Sequence, residues 1–208
     1  KKSITIIFDN GESLKVSENI KNEFFLYVGK ELEAKAVKDI EHFEALMKHY
    51  NYAISVLSRG AYTTYEIKQK LLKREVSDSN IKEIIKRLKD SKLLDDVVYT
   101  KERIAFLISH KGASKRSIIN ELKRRGVNHY IIEDAFVNVK DFEVKELHKK
   151  IPKHIKRYKH ESLLRASQKL IQKLYSDGYE ANNINLALSE YNLEDYINED
   201  ENLQKHYK

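Results

Sequence analysis

Residues 117–136 read SIINELKRRGVNHYIIEDAF, and the spacing of their apolar residues decides the fold. Six positions define the pattern in this stretch: Ile118, Leu122, Val127, Ile132, Ala135 and Phe136. The same spacing occurs 51 residues earlier, at Ile67, Leu71, Val76, Ile81, Ile84 and Ile85. It occurs again 52 residues after the stretch quoted above, at Leu170, Leu174, Tyr179, Ile184, Ala187 and Leu188. All eighteen positions are apolar, which indicates an internal repeat of about fifty residues.

Each copy of this pattern predicts the same local structure. One helix ends near a glycine such as Gly60 or Gly112, a second helix carries the first two apolar positions, and a tight turn leads into a third helix. The turns read REVSDSN, RGVNHY and DGYEANN, and their Ser, Asp and Asn residues are good N-caps. Thr63 and Glu66 match a capping box at the start of a second helix. The sequence therefore predicts an all-α protein of three tandem three-helix repeats that stack into an elongated curved array.

The first fifty residues follow a different pattern. ITIIF and SLKVS flank Asp9-Asn10-Gly11 and predict a small β-hairpin. Residues 31–59 carry apolar residues at helical spacing and allow a break near His49. We divide the chain into an N-terminal β-hairpin and helix extension (1–47), three-helix repeats 1 (48–94), 2 (95–140) and 3 (141–191), and an acidic C-terminal tail (192–208).

The composition limits the class of protein. One proline, six glycines and 34% charged residues are typical of a helical protein. The absence of cysteine excludes disulfides and thiolate metal sites and favours a reducing, cytoplasmic setting. No apolar stretch approaches the roughly 18–20 residues of a membrane span, and the apolar part of KKSITIIFDNG is too short for a signal peptide. We therefore expect a soluble, cytoplasmic protein that acts as a monomer.

Positive charge is concentrated in the centre of the chain. The net charge is +7, yet residues 101–178 alone carry +10, and the last thirty residues hold 2 basic against 7 acidic residues. Such a local excess is typical of proteins that bind a polyanion or an acidic partner. The candidate binding residues lie around the second helices and their turns: Lys73, Arg74, Arg103, Lys111, Lys115, Arg116, Lys123, Arg124, Arg125, Lys169 and Lys173. The alternative is that these cations are solvated helix ends that favour the helix dipole and solubility.

Signatures of catalysis are absent from the sequence. It contains no glycine-rich phosphate loop, no G-x-S-x-G motif and no H-E-x-x-H motif. Asp95-Asp96 stands where an N-cap is needed, and His148, His154 and His160 lie in a lysine-rich surface segment. We expect no catalytic, cofactor-binding or metal-binding residues. The tyrosines at apolar phases, for which packing is favoured over base stacking, are Tyr50, Tyr65, Tyr99 and Tyr179.

The run from Lys92 to Phe136 resembles the RecX family of regulators of the bacterial recombinase RecA. Lys92-Leu93-Leu94-Asp95-Asp96 followed by Tyr99 is similar to the family signature between the first and second repeats. The positions similar to the second-repeat signature are Gly112, Arg116, Ile118, Glu121, Leu122, Gly126 and Val127. The resemblance covers residues 50–190, and the N-terminal hairpin and helix resemble an extension of members from Gram-positive relatives.

This resemblance implies a modulator without enzymatic activity. Such a protein binds in the groove of the RecA–DNA filament, limits filament extension, and so inhibits the recombinase and coprotease activities of RecA in DNA repair, recombination and the SOS response. Its partners would be the RecA filament and, through the basic face, single- or double-stranded DNA, with no membrane. The alternative functions are a stand-alone DNA- or RNA-binding helical-repeat protein and a scaffold whose basic face is dispensable.

Overall fold

The computed structural model describes residues 3–139 and 141–197, which form two compact units that meet in sequence between Asp95 and Asp96. Within these described residues, the secondary structure consists of ten α-helices, two short 3-10 helices and one two-stranded hairpin. The predicted class, a helical protein with a small N-terminal hairpin, is confirmed. The boundaries of the five predicted segments stay a prediction.

The first unit begins with the hairpin. Strands β1 (Ser3–Ile7) and β2 (Ser13–Ser17) are antiparallel, and β2 leads directly into α1 (Glu18–Glu23). A two-stranded hairpin is marginally stable alone and needs a surface to pack on. That surface is a small core of three buried residues from β2, α1 and the following helix: Val16, Ile20 and Ile40.

Repeat 1 is built from α2 (Ala34–Leu57), α3 (Thr64–Leu72) and α4 (Asp78–Asp90). The helix α2 is continuous, so the break that the sequence allowed near His49 is wrong. The reason is that buried residues at helical spacing, such as Leu46 and Ala53, continue on either side of His49.

Repeats 2 and 3 form the second unit. In each of these two repeats, a long first helix precedes the second helix, and a short third helix of eight residues follows it. Repeat 2 comprises α5 (Asp96–Lys111), α6 (Lys115–Arg124) and α7 (His129–Phe136). Repeat 3 comprises α8 (Phe142–Ile155), α9 (Leu163–Ser176) and α10 (Ala181–Leu188), with the 3-10 helices Lys156–Tyr158 and Leu193–Tyr196 beside them.

The eighteen repeated apolar positions form the cores of the three repeats. Sixteen of them are buried, while Ile85 and Leu188 are partly buried and pack against the same clusters. Of the four tyrosines for which packing is favoured, Tyr99 and Tyr179 are buried and Tyr50 is partly buried, whereas Tyr65 is exposed. The repeat that the sequence shows is therefore a repeat of core positions.

The turn after the second helix is the same in all three repeats. The residue after each turn donates its N–H to the carbonyl oxygen five positions earlier, which is a Schellman motif. The donor and acceptor pairs are Val76 with Leu71, Val127 with Leu122, and Tyr179 with Leu174. The residue before each donor is left-handed, with φ +58° at Glu75, +72° at Gly126 and +91° at Gly178. Repeat 1 thus places a glutamate where the other two place a glycine.

Side-chain caps begin several of these helices. Thr63 accepts a 3.2 Å hydrogen bond from the Glu66 N–H, and the Glu66 carboxylate accepts a 3.0 Å bond from the Thr63 N–H, so the predicted capping box is confirmed. Asn128 accepts from the Tyr130 N–H at 2.9 Å in the same way. These bonds satisfy N–H groups that the first helical turn leaves without a partner.

Candidate partner-binding surface

Repeats 2 and 3 are joined by hydrogen bonds around Gly112, and we call this region the junction. The Tyr179 hydroxyl donates a 2.6 Å bond to the carbonyl oxygen of Gly112. Ser114 donates a 2.8 Å bond to the carbonyl oxygen of Asp177. Burial, helped by the carboxylates of Glu146, Glu143 and Asp177, raises the pKa of Tyr179, so its hydroxyl keeps the proton that it donates. The start of α6 is therefore held against the turn between α9 and α10.

A buried carboxylate completes the junction. Glu143 is 3% exposed, and its two oxygens accept from the Lys115 N–H at 2.7 Å and from the Asn183 side-chain amide at 2.6 Å. The bond to Lys115 places a negative charge at the N-terminus of α6, where the helix dipole favours it. The two hydrogen bonds and the helix dipole therefore offset the desolvation cost of burying the Glu143 carboxylate.

Two glycines permit the close approach at the junction. A Cβ at Gly112 would lie 2.8 Å from a Glu146 carboxylate oxygen, and one at Gly178 would lie 2.7 Å from the Ser114 hydroxyl. Both glycines have positive φ, at +52° and +91°. Side chains at either position would therefore meet both backbone strain and a clash.

The junction gathers four of the cations that the sequence singled out. The Lys115 ammonium lies 5.7 Å from the centre of the Phe136 ring, and the Arg116 guanidinium lies 5.7 Å from the centre of the Tyr175 ring. Lys173 forms a 2.7 Å ion pair with Asp177, and Lys111 is exposed at the end of α5. Beside them is an open cleft of about 470 Å³, whose lining includes Lys115, Arg116, Asn120 and Tyr175.

A second group of cations lies at the other end of α6. Arg103 binds Glu121 through Nε at 2.8 Å and through a terminal nitrogen at 2.5 Å, and Arg125 binds the same carboxylate at 3.4 Å. Burial alone would raise the pKa of Glu121, but these hydrogen bonds and charges outweigh it and hold the pKa below its ordinary value. Lys123 and Arg124 differ, because both are exposed.

The remaining candidates belong to neither of these groups. Lys169 forms an ion pair with Glu161 in repeat 3. In the first unit, the Arg74 guanidinium lies 4.0 Å from the centre of the Tyr52 ring, and Lys73 is exposed at the end of α3. Across residues 3–139 and 141–197, the candidates whose side chains make no ion pair, hydrogen bond or cation–π contact are Lys73, Lys111, Lys123 and Arg124.

The sequence reasoning missed two features. Glu143 was not singled out, although it stands four residues before Leu147 and eight before Ile151 and so shares the face of α8 that carries core residues. Three lysines of α4 also went unnoticed, although the spacing of Lys82, Lys86 and Lys89 places them on one face of that helix.

Neither a metal centre nor a membrane span emerges from the described part of the chain. Between residues 3 and 139, and between 141 and 197, no three His, Asp or Glu side chains converge as metal ligands would. Over the same residues, no helix combines the length and the apolar content needed to cross a bilayer.

A family model, curated relatives and solved structures all show that this chain is similar to RecX proteins. The family model for the RecX first three-helix domain matches residues 50–88. A "Regulatory protein RecX" from Leuconostoc mesenteroides is 32% identical over 84% of this chain and 66% of the relative. One from Oceanobacillus iheyensis is 30% identical over 88% of this chain and 68% of the relative, and one from Bacillus subtilis is 27% identical over 97% and 77%. The chain thus spans about two thirds to three quarters of the length of these relatives.

Two solved structures have the same fold. A crystal structure of regulatory protein RecX superposes with a TM-score of 0.82 over 90% of this chain and 98% of that chain, at 23% identity. A crystal structure of RecX from Lactobacillus salivarius gives a TM-score of 0.67 over 70% and 95%, at 27% identity.

Proposed function

This chain belongs to the RecX family of regulatory proteins, and we propose that it modulates the recombinase RecA by binding in the groove of the RecA–DNA filament. In this proposal the bound protein limits filament extension. It thereby inhibits the recombinase and coprotease activities of RecA in the cytoplasm during DNA repair and recombination. The protein acts by binding and has no catalytic step of its own.

The proposal is supported above all by the exposed, unpaired cations at the end of α6. Lys123 and Arg124 are adjacent, exposed and without an ion pair in the described residues. Their neighbour Arg125 is held on Glu121. Two cations that are already solvated can meet phosphate or carboxylate groups of a filament without breaking an internal contact.

The eleven candidates divide into two roles under this proposal. Those that pair within the protein stabilise its own fold. Arg103 joins α5 to α6 through Glu121, and Arg74 lies against Tyr52 of α2. Arg125, Lys169 and Lys173 pair with carboxylates close to them in sequence. The candidates assigned to partner contact are Lys73, Lys111, Lys123 and Arg124, together with Lys115 and Arg116 at the cleft.

Filament assembly tests the proposal directly. RecA is assembled on single-stranded DNA with substoichiometric amounts of this protein, and filament length and ATP hydrolysis are followed. We expect extension to stop early and the ATPase rate to fall. Unchanged extension together with an unchanged ATPase rate would contradict the proposal. Faster extension would mean that the protein activates RecA and does not inhibit it.

A second function, binding of DNA or RNA without RecA, is favoured by the cleft at the junction. Tyr175 is 52% exposed there, and Arg116 lies against its ring, so a nucleic-acid base and its phosphate have an aromatic surface and a cation within reach. Binding of a labelled oligonucleotide that falls steeply with added salt, in the absence of RecA, would support this second function. Loss of that binding in Tyr175→Ala would assign it to the cleft.

A further inference from the structure

A groove between α3 and α4 of the first unit is not used by the proposed contact with RecA. It has a volume of about 390 Å³. Its lining includes the apolar residues Ile81 and Ile85 and four lysines: Lys68, Lys82, Lys86 and Lys89. None of the eleven candidate cations lines this groove, so an inference about it holds whether or not RecA is the partner.

The four lysines are exposed and lack internal partners. In the described part of the chain, none of them takes part in an ion pair, a side-chain hydrogen bond or a cation–π contact. Other cations of the same two helices are engaged, since Lys70 lies over the Tyr62 ring and Arg87 pairs with Glu83 at 2.8 Å. The four groove lysines can therefore meet an anionic partner without the loss of an internal contact.

Three lysines of α4 stand at spacings at which like charges repel one another. Lys82, Lys86 and Lys89 stand four and three residues apart and so share one face. Like charges at these spacings destabilise a helix. An anionic ligand in the groove would relieve that repulsion.

The floor of the groove distinguishes among anions. Ile81 is 2% exposed and Ile85 is partly buried, so the base between the charged walls is apolar. Two carboxylates, Asp78 and Asp90, stand at the first and last residues of α4 and line the two ends of the groove. A nucleic-acid backbone would offer no apolar group to the floor, and its continuous negative charge would meet an aspartate at each end.

We propose that this groove binds an acidic amphipathic segment of a partner protein. An apolar side chain of the segment packs on Ile85, and the carboxylates beside it pair with Lys82 and Lys86. This is recognition of a short peptide by an apolar anchor and a charged rim. The acidic residues are confined to the middle of the segment, because its ends face Asp78 and Asp90.

Peptide binding to the full chain tests this proposal. The probe is a fluorescein-labelled peptide with a central Leu-Phe pair flanked on both sides by glutamates, measured by fluorescence anisotropy. The variant is Lys82→Gln with Lys86→Gln, and the matched control is Lys35→Gln with Lys38→Gln, which removes two exposed lysines of α2 outside the groove. We expect the groove variant to weaken binding by about tenfold, as two surface ion pairs would, and the control by less than about twofold. All four substitutions lie on exposed positions, and circular dichroism verifies that both variants fold.

Two further probes separate the alternatives. A peptide with serines in place of the Leu-Phe pair is expected to bind at least about fivefold more weakly, because it has no group for the apolar floor. Equal binding of the two peptides would overturn the role of the floor. Tighter binding of a single-stranded oligonucleotide of equal charge would identify the groove as a nucleic-acid site. An equal loss of peptide affinity in the groove variant and the control variant would show that only general charge attraction holds the peptide. Absence of peptide binding would overturn the proposal.

Discussion

The Tyr179 hydroxyl donates a 2.6 Å hydrogen bond to the carbonyl oxygen of Gly112, a residue 67 positions earlier in the chain. This bond connects the turn of repeat 3 with the link between α5 and α6 of repeat 2. Tyr179 also occupies a repeated core position, so one residue serves the core of its own repeat and the junction with the neighbouring repeat.

Tyr179→Phe removes this bond and little else. The carbonyl oxygen of Gly112 loses its buried partner, so the free energy of unfolding is expected to fall by about 1–3 kcal/mol. Urea denaturation followed by circular dichroism measures the change. Tyr175→Phe is the control, because the Tyr175 ring is 52% exposed, and it should change stability by less than about 0.5 kcal/mol. Equal effects of the two substitutions would show that the bond to Gly112 does not stabilise the junction.

Gly178→Ala tests the close approach at the junction. The added Cβ meets the Ser114 hydroxyl at 2.7 Å, and the backbone there has φ +91°. We expect a loss of about 1–3 kcal/mol in the same denaturation experiment. Gly60→Ala is the matched control, since its Cβ would meet only Tyr62 at 3.9 Å and its φ is not positive. A Gly178→Ala protein as stable as the control would contradict the geometry of the turn.

Glu75→Gly is expected to stabilise the protein. Glu75 occupies the left-handed position of the Schellman turn with φ +58°, and its side chain is exposed. Relief of left-handed strain, about 1–2 kcal/mol, exceeds the entropic cost of a glycine, about 0.5–1 kcal/mol, so the free energy of unfolding should rise by up to about 1.5 kcal/mol. Lys73→Gly, at a right-handed position with φ −62°, should instead destabilise. Destabilisation by both substitutions would show that Glu75 is not strained.

The Glu121 cluster predicts a dependence of stability on pH. The folded-state pKa of Glu121 lies below its ordinary value of 4.5, held there by Arg103 and Arg125 against the effect of burial. The carboxylate therefore stabilises the fold above that ordinary value, and the contribution is lost as pH falls through the folded-state pKa. Glu121→Gln should be less stable than the wild type at about pH 7, and the difference should vanish near about pH 2.

The control for this pH experiment is Glu102→Gln. Glu102 is exposed and has no ion pair within the described residues. Its replacement should change stability by less than about 0.5 kcal/mol at about pH 7. A deficit of Glu121→Gln that persists undiminished at low pH would mean that its charge is not the cause.

The sequence predicts the helical repeats well because core positions recur at fixed spacing. Leu122 and its counterparts Leu71 and Leu174 are all buried, and each ends its helix in the same turn. The continuity of α2 was harder to predict, because a polar residue such as His49 is compatible with either a helix or a break. The identity of the left-handed residue was also not predictable in repeat 1, where the Schellman turn forms on Glu75 without a glycine.

The candidate surface was predictable only in part. The sequence shows which positions carry cations, but it does not show which of these cations pair with a carboxylate. Arg124 and Arg125 are neighbours in sequence, yet only Arg125 reaches Glu121, because its direction on α6 brings it toward that carboxylate. The groove lined by Lys82 and Lys86 depends on the packing of α3 on α4, which no local pattern specifies.

Inhibition of the RecA ATPase on single-stranded DNA tests the central claim most directly. Wild-type protein is compared with Lys123→Gln/Arg124→Gln, which removes two exposed, unpaired cations, and with the control Lys35→Gln/Lys38→Gln. The proposed function predicts that substoichiometric wild-type and control proteins slow ATP hydrolysis equally. It predicts that the Lys123/Arg124 variant needs about tenfold more protein for the same effect, as the loss of two ionic contacts implies. An ATPase rate that the wild-type protein leaves unchanged at every concentration would contradict the claim.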